Sequence, residues 1–264
     1  VSGPHDDRFE ARAERVGHTV TVDVRAVLAD VAGLGSFFTV GTDPAQAADP
    51  TWRPMRDLHT DPGPLRERIA HVGRVLGSDD RVAASIAFQG IAALVVSAPL
   101  ASAVLHGMLP ELTAGTLHWR VSASGPWPLW SSSTASTAVV DPDAAADALA
   151  DALFDEHLAP LIGAVRAQVP ISERLMWGSV ASSVAGGKRV IGDRHPGVAD
   201  RAAAVARRLL DLGPLAGTGD LRPPEGHDIG WTFRRRSCCL YYRVPGGGLC
   251  GDCVLHRRAP ATPA

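Results

Sequence analysis

The chain has 264 residues, of which 45% are hydrophobic and 20% charged, and its formal net charge is −2. That composition supports a substantial buried core in one large domain or two small ones. It excludes a global field that would recruit nucleic acid or an acidic membrane surface.

The beginning of the sequence is charged throughout and lacks an apolar h-region, so no secretory signal is expected. Residues 19–24 alternate Thr19-Val20-Thr21-Val22-Asp23-Val24, a pattern shared by a strand and by the lead-in to an apolar helix over 24–31. Gly33 and Gly35 close that helix, Phe37 and Phe38 are expected core anchors, and residues 43–50 read as a loop. From Pro64 the spacing turns helical: Leu65, Ile69, Val72, Val75 and Leu76 share a face that Gly77 terminates. The uncharged run over 82–105 is long enough to cross a bilayer. Gln89 and Gly90 interrupt it, and Pro99 is expected to end the helix begun near Arg81. The expectation is therefore a buried core helix over 80–97 and a shorter one from Pro99 to before Pro110.

Residues 116–121 alternate, Gly125-Pro126 forms a turn, and Trp127, Leu129 and Trp130 precede a Ser/Thr-rich run to Val140. Together these predict a small antiparallel hairpin or sheet. Asp141-Pro142 joins an N-cap acceptor to proline at the first helical position, predicting a helix to about Val169 with a bend at Pro160. Further helices are predicted over 172–185 and 198–212. The Gly- and Pro-rich stretch 213–228 reads as a linker, and 229–236 as a strand. The expected fold class is α+β. A predominantly helical domain with a small antiparallel sheet occupies residues 1–228, and a C-terminal cluster-binding segment occupies residues 229–258.

All four cysteines, Cys238, Cys239, Cys250 and Cys253, fall in one Cys-Cys-x10-Cys-x2-Cys cluster. Thiolates are soft ligands that select zinc, copper(I) or iron–sulfur centres. In a reducing cytoplasm, the expected compartment, they stay free or bind metal rather than forming disulfides. Gly251 gives the second pair a tight turn that aims backbone N–H groups at the sulfurs, and Pro245-Gly246-Gly247-Gly248 brings the chain back to the first pair. Adjacent side chains on extended backbone diverge, which a two-iron centre accommodates more readily than a single zinc ion. Both metals stay open on spacing alone.

The cysteine spacing resembles the C-terminal signature of FhuF-type siderophore-iron reductases, whose four cysteines ligate a 2Fe–2S cluster. Leu175-Met176-Trp177-Gly178-Ser179-Val180-Ala181-Ser182 is similar to that family's Leu-Trp-Gly-Asn-Val-Ala-Ser helix, with Ser179 in place of Asn and Met176 as an extra residue. His157-Leu158-Ala159-Pro160-Leu161 resembles the preceding family helix, and Arg81-Val82-Ala83-Ala84-Ser85 matches more loosely. The resemblance spans roughly residues 50–255. It implies a ferric-siderophore reductase with Cys238, Cys239, Cys250 and Cys253 as ligands of a 2Fe–2S cluster. The implied substrate is Fe(III) in a hydroxamate-type siderophore, reduced to Fe(II) for release of iron inside the cell.

Neither a P-loop nor a Gly-x-Gly-x-x-Gly after a strand is present, so an external electron donor, a ferredoxin or flavoprotein, is expected. The expected location is cytoplasmic, with peripheral association at the inner face of the membrane admitted and no nucleic-acid partner. Arg234, Arg235 and Arg236 are candidates to stabilise a reduced cluster or dock an acidic donor, against the plainer reading of a solvated strand. Trp231, Tyr241, Tyr242 and Trp177 read more simply as packing than as substrate contacts, and His256 as a non-ligand beside a complete thiolate set. The rival functions are a zinc-stabilised binding module, an iron–sulfur redox sensor and a relative of siderophore-assembly enzymes. The vicinal cysteines, the lack of a DNA-binding element and the lack of a phosphate motif speak against these in turn.

Overall fold

The computed structural model describes residues 23–122, 124–226 and 228–258, so residues 19–22 of the alternating stretch lie outside it. Helix α1 (Val24–Ala32) begins where the Asp23 carboxylate accepts the Arg25 N–H at 2.9 Å. Phe38 enters the core, but Phe37 is 39% exposed, so only one of the two expected anchors is buried.

The strands β1 (Val40–Gly41), β2 (Arg53–Pro54), β3 (Met108–Pro110), β4 (Leu117–Trp119), β5 (Leu129–Ser131) and β6 (Ser136–Ala138) are short. The predicted hairpin is β4–β5, antiparallel with His118 opposite Trp130. It sits inside a four-stranded sheet ordered β1-β5-β4-β2, in which β1 runs parallel to β5. The Trp119 and Trp127 rings stack at 4.6 Å, closing the face of this sheet. A separate antiparallel pair, β3–β6, uses the Ser/Thr-rich run.

After α2 (Asp57–Thr60), helix α3 (Pro62–Leu76) stops at Gly77, whose φ of 58° is the left-handed geometry that glycine adopts without a Cβ clash. Helix α4 (Asp80–His106) is capped by Asp79, which accepts the Val82 N–H at 3.0 Å. It runs straight through Pro99, contrary to the expected break. An interior proline costs about 3 kcal/mol. Burial along almost the whole of α4 against α1, α3, α5 and α7 outweighs that cost. By length and composition α4 could cross a membrane, yet 78% of its most apolar stretch is buried inside the fold.

Helices α5 (Pro142–Leu153) and α6 (Ala159–Gln168) are joined by a π-helical turn over Phe154–Leu158. The bend expected at Pro160 is thus taken up just before it, where the wider turn absorbs the missing proline N–H. Helix α7 (Glu173–Arg194) continues past residue 185, where the sequence reading ended it. Gly187 lies in that continuation where α7 comes close against α4: a Cβ there would stand 2.9 Å from Leu100 Cδ2. Helix α8 (Ala199–Leu210) packs on α5 and α7.

The stretch read as a linker contains a strand, β7 (Gly219–Arg222), paired antiparallel with β8 (Thr232–Arg235). Gly219 is needed in that pair because the Phe233 ring occupies the space its Cβ would fill. The architecture is α+β and dominated by helices, with small, mostly antiparallel sheets.

Candidate metal centre

The chain leaves β8 directly into the cysteines, and backbone bonds lock the two halves of the motif together. Arg235 N–H donates to Asp252 O at 3.0 Å, and Cys253 N–H donates to Cys250 O at 3.0 Å, closing the Cys-x2-Cys turn. Leu240 has φ 67°, a left-handed conformation uncommon for a side chain of its size. That strained turn points the Leu240 N–H at Cys238 Sγ, 3.3 Å away. The Leu255 N–H similarly reaches Cys253 Sγ at 3.4 Å. Amides thus serve the sulfurs as expected, one just after each cysteine pair rather than within the Gly251 turn.

Cys239 and Cys253 are buried, while Cys238 and Cys250 are partly exposed. Cys239 Sγ and Cys250 Sγ lie 3.6 Å apart, within hydrogen-bonding reach for sulfur. The shared bond lowers Cys239 to about 6 and pushes Cys250 up, so the first proton of the pair leaves easily and the second does not. Burial also pushes the Cys238 thiol up, against the Leu240 N–H.

Helix α7 is the seat for this segment. A Cβ on Gly178 would collide with Ser237 Oγ, so glycine is what lets the cysteine segment lie on the helix. Arg235 is 2% exposed, and its Nη2 donates to Leu175 O at 2.9 Å and Ser179 Oγ at 3.1 Å. Its Nε and Nη1 have no hydrogen-bond partner among the described residues. Burial works against its charge, and the neighbouring Cys239, Cys250, Asp252 and Cys238 favour it. The other two arginines are engaged elsewhere. Arg234 pairs with Glu225 at 3.0 Å and donates to Gly251 O at 2.8 Å, and Arg236 pairs with Asp220 at 2.6 Å.

Several supporting groups carried no sequence signal. Ser85 Oγ on α4 donates to Cys239 O at 2.7 Å. Asp228 accepts from Lys188 at 3.0 Å, Arg189 at 3.0 Å and Thr232 at 2.9 Å. Burial raises that carboxyl, but the three bonds together outweigh it and hold Asp228 below its ordinary value. Arg189 also reaches Asp252 at 3.4 Å, tying α7 to the Cys-x2-Cys turn. Among these partners, only the Arg81–Ser85 match in the sequence touched any of them.

The plainer readings hold for most of the remaining candidates. Trp231 is buried and donates to Ala203 O at 3.0 Å, and Trp177 packs edge-on against Phe154. His256 Nε2 bonds to the Cys250 carbonyl at 3.1 Å. Tyr241 and Tyr242 are exposed, so the packing expected of them is not found. Cys239 and Cys250 line a cavity of about 600 Å³ between α4 and α7.

Among the described residues, no three of His, Cys, Asp and Glu are gathered to hold a single metal ion. One contacting thiol pair with two amide-bonded thiols beside it, facing a buried cation, suits a wider, negatively charged binuclear centre. A family profile described as the FhuF 2Fe-2S C-terminal domain matches residues 235–255. The cysteine segment is thus similar to that of the FhuF-type family. A second profile, described as ferric iron reductase FhuF-like transporter, matches residues 117–219. The matches take in all four cysteines and the FhuF-like helices around His157 and Trp177, while Arg81–Ser85 lies outside them. No curated protein matches the chain. The FhuF-type assignment brings with it a 2Fe–2S cofactor and a ferric reductase role in iron uptake.

Proposed function

We propose that the chain reduces Fe(III) held in a siderophore, of the hydroxamate type, to Fe(II) and so releases iron in the cytoplasm. Cys238, Cys239, Cys250 and Cys253 are the ligands of the 2Fe–2S cluster in this reading. The observation that carries it is the contact of Cys239 with Cys250 in the wall of a 600 Å³ cavity. When bound, the cluster supplies electrons one at a time. The chain's own groups hold charge on the sulfurs and keep water away. The Leu240 and Leu255 amides donate to two thiols, Arg235 sets a positive charge beside Cys238, Cys239 and Cys250, and burial shields Cys239 and Cys253.

The substrate chemistry follows from ligand hardness. Hydroxamate oxygens are hard donors that suit Fe(III) and hold Fe(II) far less tightly. One electron therefore turns a sequestered ion into an exchangeable one. A ferredoxin or flavoprotein is the donor, and the inner face of the membrane is a place where donor and imported chelate would meet.

Protein purified without oxygen is expected to hold about two irons and two acid-labile sulfides per chain and to give an EPR signal after dithionite. Stoichiometric zinc without sulfide would refute the ligand assignment. Mixed with a ferric trihydroxamate and a ferrous trap, the reduced protein should lose its reduced spectrum as trapped Fe(II) appears. A reduced spectrum that persists rejects the reductase reading. Cys250→Ser replaces a soft thiolate with a poor ligand and should abolish or greatly weaken assembly; an unchanged visible spectrum would remove Cys250 from the set.

A further inference from the structure

Resting on the reductase reading, we propose that the cavity between α4 and α7 is where the ferric chelate docks, and that it is built for an uncharged, amide-bearing complex. Its volume of about 600 Å³ lies in the range of small-molecule sites. Among the described cavities it is the one that reaches the cysteines, so an occupant lies beside Cys239 and Cys250.

Two facing glycines make the space. Gly90 on α4 and Gly186 on α7 both line the cavity, and a Cβ on either would meet nothing within 4 Å. Glycine in mid-helix costs about 1 kcal/mol relative to alanine. Neither position has a steric reason for glycine, so what the missing side chains provide is room.

The walls also hold polar atoms in want of a partner. Gln89 and Ser182 line the same cavity, their Oε1 and Oγ are shut off from the surface with no hydrogen-bond partner among the described residues, and Ser182 is only 9% exposed. An orphaned buried polar atom is costly. Once either side chain turns into the cavity, the amides of a peptidic or polyamide chelate supply an N–H for Gln89 Oε1 and either an N–H or a carbonyl for Ser182 Oγ.

Charge selects among such chelates. Arg189 is the cation in the lining, and its guanidinium is already shared between Asp228 at 3.0 Å and Asp252 at 3.4 Å. A tris-catecholate complex of Fe(III) carries three negative charges and would find in the lining only this already paired cation and the Asp252 carboxylate. Three hydroxamates neutralise Fe(III), so their complex meets no such penalty. Phe37 and Tyr241, both partly exposed, give the cavity an aromatic border for the apolar backbone of the chelate. Each seated Fe(III) takes up one electron, supplied ultimately by the external donor, and no bond in the protein forms or breaks.

Gly186→Leu and Gly90→Leu test this, since leucine fills the cavity and is a better helix former than glycine. The probe is gallium(III) desferrioxamine E, an uncharged and redox-inert trihydroxamate, titrated calorimetrically into oxidised holoprotein. The wild type should bind it, and each variant should bind it about tenfold or more weakly with the visible spectrum and midpoint potential unchanged. A gallium(III) tris-catecholate should bind the wild type at least about tenfold more weakly than the hydroxamate. Wild-type affinity in both variants, or no binding by the wild type, overturns the site; equal affinity for the catecholate overturns the charge argument. The two readings fail differently. If both variants, once reduced, are reoxidised by the ferric hydroxamate at the wild-type rate, the cavity is wrong and the reductase stands. If the reduced wild type is not reoxidised, the reductase reading falls and takes the cavity with it.

Discussion

Arg234 and Arg235 sit on β8 and Arg236 just beyond it, so the pleat turns the middle guanidinium inward and its neighbours toward Glu225 and Asp220. The sequence showed three arginines before the cysteines but not which one mattered. The carboxylates that occupy the outer two come from a stretch read as a linker. With Nε and Nη1 without a hydrogen-bond partner among the described residues and three thiols nearby, Arg235 stabilises whichever state of the centre is more negative, which is the reduced one. Arg235→Met should therefore lower the midpoint potential, by on the order of 60 mV for each tenfold loss in a one-electron couple. Arg235→Lys keeps the charge and should recover much of that shift. An EPR-monitored redox titration reads both, and an unmoved potential in the methionine variant would show that the arginine serves packing alone.

At the level of elements, α7 holds the centre and α4 braces α7, and glycines mark both contacts. Gly178→Ala forces a Cβ against Ser237 Oγ and crowds Arg235 Nη2 at 3.2 Å. Overpacking of this kind costs about 1–3 kcal/mol. Chemical denaturation should show that loss together with a lower iron content. Ser237→Ala in the same chain should restore most of it, because the colliding oxygen is gone; strictly additive losses would place the damage elsewhere. The Trp-Gly-Ser motif was legible as a family resemblance, yet its physical role as a seat for the distant cysteines was not, because that contact joins residues far apart in sequence. Pro99 and Gly186-Gly187 misled for the same reason. Local propensity predicts a break at each, and burial between helices overrides it.

Across the whole molecule, the helical content, the β4–β5 hairpin and the cysteine motif were readable from period and spacing, whereas β1, β2, β3 and β7 were not. Strands this short carry too few residues to show an alternation, and only their partners define them. One tie between the sheet-bearing loops and the helices is His157, 1% exposed, whose Nε2 meets Leu112 O at 2.6 Å. Burial depresses its pKa below the ordinary 6.5, against the pull of the Leu112 carbonyl and Glu156. Protonation would also leave an Nδ1–H without an acceptor among the described residues. The unfolded chain then binds the extra proton first. Stability is full above about pH 6.5 and falls as pH drops toward the folded pKa. Denaturant midpoints at about pH 7.5 and about pH 5.5 should differ in that direction, and His157→Gln should flatten the difference. An equal slope in the variant would assign the loss to other groups.

Lys188 is the sole lysine of the chain, and it is 2% exposed. Its Nζ donates to Asp228, to Ile229 O at 2.9 Å and to Trp231 O at 2.7 Å, and lies 4.4 Å from the Trp231 ring. An acylating reagent needs the nitrogen lone pair and a path to it, and the native fold offers neither. Acylation at Lys188, followed on its own peptide, should stay silent until the strand entering the thiols peels from α7, and then appear. Any bead or dye attached through that amine would select molecules that had already come apart.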